Sequence, residues 1–198
     1  LRTGAMSIGS GEQALLTAGC GQMHRFYDLP GGAAAGATDS KMPDMQAGWE
    51  QMCSNVMAGL SGVNMVYEAA GMHASLLGFC HESLILGDDI IGQALRCVRG
   101  VEVNDETMAL DQIAEVCMGG PGHYLGTDQT LARMQTDCVY PTFGNRMSPK
   151  EWAEKDKPDL IENAMARKEE ILSQRSKAQF DPVLDAAIRA RFNIHLPA

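Results

Sequence analysis

Short apolar runs of extended character alternate here with segments of about 15 residues whose apolar positions recur at helical spacing, and few folds accept a chain written this way. Glu12 to Tyr27 places Ala14, Leu15, Ala18, Met23 and Phe26 at helical intervals and stops at Leu29-Pro30-Gly31-Gly32. Ala33 to Thr38 reads as a buried strand, Gln46 to Leu60 as a second helix ending near Gly62, and Asn64 to Tyr67 as the next strand, closing in Glu68-Ala69-Ala70-Gly71. Ser83 to Val98 predicts a long helix stopped at Gly100, Val101 to Asn104 a short extended stretch, and Asp105-Glu106 the acidic first turn of a helix reaching Cys117. Parallel strands need a crossover long enough to return over the sheet, so this order predicts parallel β/α units in a barrel or an open sheet.

In such folds chemistry gathers where strands end, at the carboxyl edge of the sheet. The run Gly36 to Gly48 has that form: an apolar strand breaks into Thr38, Asp39, Ser40, Lys41 and Asp44 before a helix begins. Asp44 is placed to cap that helix. A second loop, Met118-Gly119-Gly120-Pro121-Gly122-His123-Tyr124-Leu125-Gly126, leads into a helix near Thr127-Asp128 but matches no common phosphate fingerprint. His123, off any regular apolar face, is the strongest histidine candidate. His73 is weaker, and His24, His81 and His195 read as helical and peripheral.

Residues 1–145 carry 6 basic against 16 acidic side chains, whereas residues 146–198 carry 10 against 9. The acidic first part disfavours nucleic acid and suits a cationic ligand. Beyond Ser148-Pro149 the chain turns to charged amphipathic helices over Lys150 to Lys155, Pro158 to about Arg175 and Pro182 to about Phe192, with Pro158 and Pro182 at first-turn positions. The expected organisation is therefore a β/α part over residues 1–147 and a helical extension over 148–198. No run approaches the roughly 20 apolar residues of a membrane span and no signal-peptide pattern opens the chain, so a soluble cytoplasmic protein is expected. Leu1-Arg2-Thr3-Gly4 lacks an initiator Met, the mark expected of a portion of a longer protein. Six dispersed cysteines form no C-x-x-C pair and read as buried reduced thiols. Cys80, His81 and His73 would place adjacent ligands on one ion, which tetrahedral geometry rarely accepts, so no tightly bound metal is expected.

The order G-x-x-E-x-x-L-L at Gly9 to Leu16, R-x-Y-x-L-P at Arg25 to Pro30, T-D-S-K-x-P-D-x-Q-A-G at Thr38 to Gly48, D-D-x-I at Asp88 to Ile91, R-G-x-E-V-x-x-E-T at Arg99 to Thr107, and the Gly-Gly-Pro-Gly-His turn resembles the trimethylamine methyltransferase (MttB) family over nearly the whole chain. The resemblance implies the C-terminal part of a (β/α)8 TIM-type barrel followed by terminal helices. It implies a corrinoid-dependent enzyme that moves a methyl group from a methylated amine to the Co(I) of a separate, cognate corrinoid protein. Archaeal trimethylamine enzymes of the family use pyrrolysine; members without it include enzymes for glycine betaine and related quaternary amines, and this sequence has no nonstandard residue.

A quaternary ammonium has no N–H to donate, so its recognition rests on aromatic faces and carboxylates. Tyr67, Glu68 and Tyr124 are the candidate substrate-binding residues, and Asp39, Lys41 and His123 the candidate catalytic ones; for a betaine-type substrate Lys41 either binds the substrate carboxylate or forms a structural ion pair with Asp39 or Asp44. Methyl displacement from a quaternary amine releases a tertiary amine without prior protonation, so positioning and exclusion of water matter more than a strong acid. A metal-dependent methyltransferase on a similar barrel and a non-catalytic binding protein for small cationic solutes are the competing readings. An incomplete barrel would leave an edge strand and apolar surface open, so self-association of the isolated chain is expected.

Overall fold

A computed structural model describes residues 4–174 and 181–195. The first helix, α1 (Gly11–Phe26), starts at the Ser10 cap and leads through the Pro/Gly break into strand β1 (Gly32–Ala34). Helix α2 (Met45–Ser61) then crosses to β2 (Met65–Tyr67), which lies parallel to β1 with Gly32, Ala33 and Ala34 opposite Met65, Val66 and Tyr67. This is one complete β–α–β unit. Ala33, Ala35 and the fully buried Ala58 form its core, with Val63 and Val66 packed against them. Small side chains let α2 approach the strands closely.

A short antiparallel hairpin follows, β3 (Met72–His73) with β4 (Gly78–Phe79), its strands joined by a tight turn over Ala74–Leu76. Helix α3 (His81–Arg99) packs on α2, just as α2 packs on α1. Helices α4 (Asp105–Met108), α5 (Leu110–Cys117), α6 (Asp128–Thr136), α7 (Pro149–Glu154), α8 (Leu160–Ser173) and α9 (Pro182–Arg191) complete the described chain, and α8 returns to pack on α3. The arrangement is α/β and rich in helix. Among the described residues the sheets are one parallel pair and one hairpin, not a ring of strands.

Several expectations are corrected. The segment predicted as a strand over Ala33 to Thr38 is a ladder strand only to Ala34, because Gly36 turns left-handed (φ +81°) and breaks the regular pairing. The single helix expected from Asp105 to Cys117 divides at Ala109, whose φ of +49° ends α4. Pro158 lies ahead of the Asp159 cap, outside the first turn of α8, and its carbonyl accepts a hydrogen bond from the Trp152 indole. Residue Arg175, the expected end of that helix, lies outside the described residues. Cys20, Cys53, Cys97, Cys117 and Cys138 are exposed rather than buried, since they fall on the solvent sides of their helices and turns. His195 follows α9 in irregular chain.

Candidate functional site

Beyond Ala34 the chain stays buried through Thr38 and keeps its partner, the segment beyond β2. Ala35 N–H donates to the Tyr67 carbonyl (3.2 Å), and Thr38 N–H to that of Met72 (3.1 Å). In return Ala74 N–H donates to Ser40 (2.9 Å) and Ser75 N–H to Thr38 (3.1 Å). Gly36 is required twice over: its φ is left-handed, and a Cβ there would strike the Ala69 carbonyl. Its N–H is held by Ser54 Oγ at 2.9 Å.

Two carboxylates fix the loop that follows. Glu50, on the buried face of α2, accepts from the Thr38 hydroxyl, from Asp39 N–H at 2.8 Å and from the Gln46 amide at 2.9 Å. Asp39 accepts from Ser7 Oγ (2.9 Å), Ile8 N–H (3.0 Å) and Ser75 Oγ (2.6 Å). Burial works against its ionisation, but the hydroxyls of Ser75 and Ser7 and the backbone N–H groups of Gly9 and Ile8 outweigh it and hold the carboxyl below its ordinary value. Asp39 thereby joins the approach to α1, the carboxyl end of β1 and the turn after β3. In that turn Ala74, Ser75 and Leu76 all have positive φ (50°, 56° and 73°), a run of left-handed residues that costs about 1–2 kcal/mol each and persists only where neighbours hold it.

His73 completes the knot. It is 3% exposed, with Nδ1 at 3.2 Å from the Ser40 carbonyl and Nε2 at 2.6 Å from Ser83 Oγ. A carbonyl only accepts, so Nδ1–H donates to it, and Nε2 is hydrogen-bonded to the Ser83 hydroxyl. Both ring nitrogens are used, which removes His73 from any ligand set with Cys80 and His81. Among the described residues no group of three His, Cys, Asp or Glu side chains is arranged to hold a metal ion.

Lys41 stands exposed at the rim of this loop, its ammonium donating to the Asp39 carbonyl oxygen at 2.7 Å. Among the described residues it forms no ion pair with the Asp39 or Asp44 carboxylate. Asp44 caps α2, accepting from Ala47 N–H at 2.9 Å, and that bond lowers its pKa. Tyr67 and Glu68 close β2 on the same carboxyl edge, Glu68 exposed with φ +60°. The Tyr67 ring, 48% exposed, leans back along the strands so that its hydroxyl touches Gly32. Asp39, Lys41, Tyr67 and Glu68 thus share one edge of one parallel pair.

His123 and Tyr124 lie elsewhere in the chain's architecture, in the turn between α5 and α6, and both are exposed. Tyr124 Oη sits 3.5 Å from Cys117 Sγ, a contact that raises the phenol's pKa. The ring lines a cavity of about 850 Å³ with Arg96, Arg99, Arg133 and Asp137, and none of the lining residues comes from the Thr38–Lys41 loop or from Tyr67–Glu68.

Glu50 and Ser83 are parts of the site that the sequence reading does not single out, and His73, read there as the weaker histidine candidate, is the one that joins it. Glu50 falls within a helix and reads as a solvated charge; its one signal is the small Ala47 and Ser54 at i−3 and i+4, which share its buried face.

The chain matches the model of the family "Trimethylamine methyltransferase (MTTB)" over residues 1–194. It belongs to this family. It is 35% identical over 190 residues to the glycine betaine methyltransferase of Desulfitobacterium hafniense strain Y51, covering 96% of this chain and 39% of that protein. The trimethylamine methyltransferase MttB of Methanosarcina barkeri strain Fusaro is 31% identical over 181 residues, 91% of this chain and 36% of its own length. The MttB of D. hafniense strain DCB-2 is 28% identical over 183 residues. This family member therefore spans between a third and two fifths of the length of these relatives. The motif at Thr38 to Gly48, one of those that carry the resemblance, is held in shape by contacts of the buried Glu50 and His73 and of the half-buried Asp39.

Proposed function

We propose that the protein to which this chain belongs takes a methyl group from a quaternary amine of the glycine betaine type and delivers it to the Co(I) of a corrinoid carried by a cognate partner protein in the cytoplasm. The observation that carries this reading is the 35% identity to a glycine betaine methyltransferase across 96% of the chain. The β1–α2–β2 unit supports placing residues 1–147 in the C-terminal part of a (β/α)8 barrel, with 148–198 as a helical extension on it.

The corrinoid is the methyl acceptor and supplies the cobalt nucleophile, so this chain's task is to present an N–CH3 bond in line and to keep water away. The carboxyl edge suits that task. Asp39, Glu50 and Glu68 make it acidic, favouring a cation that offers no N–H, while the exposed Lys41 ammonium is the group for the carboxylate of a betaine. In this reading Asp39 is a positioning residue, since its oxygens are taken by Ser7, Ile8 and Ser75. Tyr67 offers an aromatic face to the ammonium at this edge, whereas Tyr124 and His123, on the turn between α5 and α6, stand apart from it and are the weaker candidates.

The test uses the intact protein with chemically reduced cob(I)alamin, to which glycine betaine, carnitine or trimethylamine is added separately while the cobalt absorption is followed. Methylation with glycine betaine is expected. Methylation with trimethylamine alone would move the protein to the substrate in the names of its MttB relatives, and no methylation with any donor would favour the binding-protein reading.

A further inference from the structure

One oxygen of Glu50, a carboxylate buried on α2, governs the run of chain that ends in Lys41. Oε2 accepts from the Thr38 hydroxyl and from Asp39 N–H at 2.8 Å. The Thr38 oxygen in turn accepts from Ser40 N–H at 3.0 Å, so Glu50 orients residues 38, 39 and 40 together. Ser40 Oγ then brackets Lys41, accepting from Met42 N–H at 3.2 Å and donating to the Met42 carbonyl at 3.0 Å. The Lys41 ammonium folds back onto the Asp39 carbonyl at 2.7 Å, the acceptor of the residue whose N–H Glu50 holds.

This arrangement keeps the ammonium a usable charge. A lysine has three N–H donors, and Lys41 spends one on a neutral carbonyl. The Asp39 carboxylate, which could cancel the charge, faces the other way, toward Ser7, Ile8 and Ser75. A long side chain already held in place also loses less rotamer freedom when a ligand binds than one that swings in solvent. We infer that Glu50 is a positioning residue that makes this edge select methyl donors bearing a carboxylate: by holding Thr38 to Ser40 it holds the Lys41 ammonium where that carboxylate meets it. This role rests on the betaine reading above and adds the residue that sets its selectivity.

The test measures kcat/KM of the intact protein for glycine betaine and for tetramethylammonium in cob(I)alamin methylation and takes their ratio. Glu50→Leu is expected to lower the ratio by about tenfold, mainly through the KM for glycine betaine, and Thr38→Val by about threefold. Because Glu50 acts through Lys41, adding Glu50→Leu to Lys41→Ala should leave the ratio where Lys41→Ala alone puts it. Equal losses with both donors mark a merely structural role and overturn the inference. So does a double variant whose ratio falls by the product of the two single effects. Thr38→Val keeps the test open should Glu50→Leu not fold. A wild-type protein that methylates cobalt from neither donor sinks the betaine reading instead, and the Glu50 link is then read from Lys41 itself. Its acetylation by acetic anhydride, mapped by peptide mass spectrometry against the exposed Lys150, should run about threefold faster in Thr38→Val than in wild type. An unchanged rate overturns the link.

Discussion

Asp39 shows what a single side chain contributes at the carboxyl edge of β1. Its two oxygens hold Ser7, Ile8 and Ser75, so the carboxylate secures a left-handed turn that would otherwise relax. Replacing it by Asn leaves acceptors poorly matched to three donors, and a loss of about 1–3 kcal/mol of stability at neutral pH is expected from denaturant unfolding of the intact protein. The pH dependence has a defined sign. Folding lowers the Asp39 pKa below its ordinary 3.8, so its stabilisation is complete above that value and disappears as pH falls through the lower folded value. Asp39→Asn should therefore flatten the acid limb of the stability curve; an unchanged limb would show that the carboxylate does not hold the turn. At this scale the sequence was legible where residue types bunch, as in Thr38 to Asp44, and illegible where one residue reaches across the fold. Nothing local to Glu50 or His73 announces that Thr38 and Ser40 are their partners, because those contacts span 12 and 33 residues.

Helices α1, α2 and α3 fall within two residues of their expected starts and ends, because the Leu29–Gly32 break, the Asp44 cap, Gly62 and Gly100 are strong local signals. The hairpin β3–β4 was missed because strands of two residues carry no periodicity to read. Asp44→Ala, removing the bond to Ala47 N–H, should lower the midpoint of thermal or denaturant unfolding. Further along, α8 is tied to α3 by Lys168 Nζ and Glu82 Oε1 at 2.9 Å, with both side chains mostly covered (22% and 17% exposed). The Lys168 hydrogen bond, Glu82's own backbone N–H and the Cys80 thiol bring the Glu82 pKa down to about 2 from 4.5, while Glu82 and then Glu169 raise that of Lys168 above 10.5. The tether is thus complete between about 4.5 and 10.5, weakening as pH falls toward 2 and as it rises through the raised lysine value. Lys168→Met should lower the unfolding midpoint inside that window and have little effect below pH 2, measured by denaturant unfolding across pH. An equal loss at every pH would assign the effect to packing of the lysine stem.

Taken as a whole, the molecule carries large apolar side chains on its surface. Leu15 and Leu16 on α1 are each 65% exposed, Phe26 is 76% exposed and Met65 on β2 60%. The buried face of α2 is instead built from Ala47, Glu50, Gln51, Ser54, Asn55 and Ala58, the reverse of what amphipathic patterning leads one to expect. Helical periodicity could locate α2, but it could not tell which of its faces meets the strands. The isolated chain is expected to self-associate through its uncovered surface, read by light scattering, and a monodisperse monomer with a cooperative melt would contradict this. Family membership was legible because its motifs are strung along the whole chain, whereas the joining of its edge residues became visible only in three dimensions. The most direct test of that edge as a methyl-donor site compares wild-type protein with Lys41→Ala in cob(I)alamin methylation, using glycine betaine and the carboxylate-free tetramethylammonium ion. A KM for glycine betaine raised by about tenfold or more in the variant is expected, with tetramethylammonium turnover unchanged. Equal effects on both donors, or none on either, would contradict it.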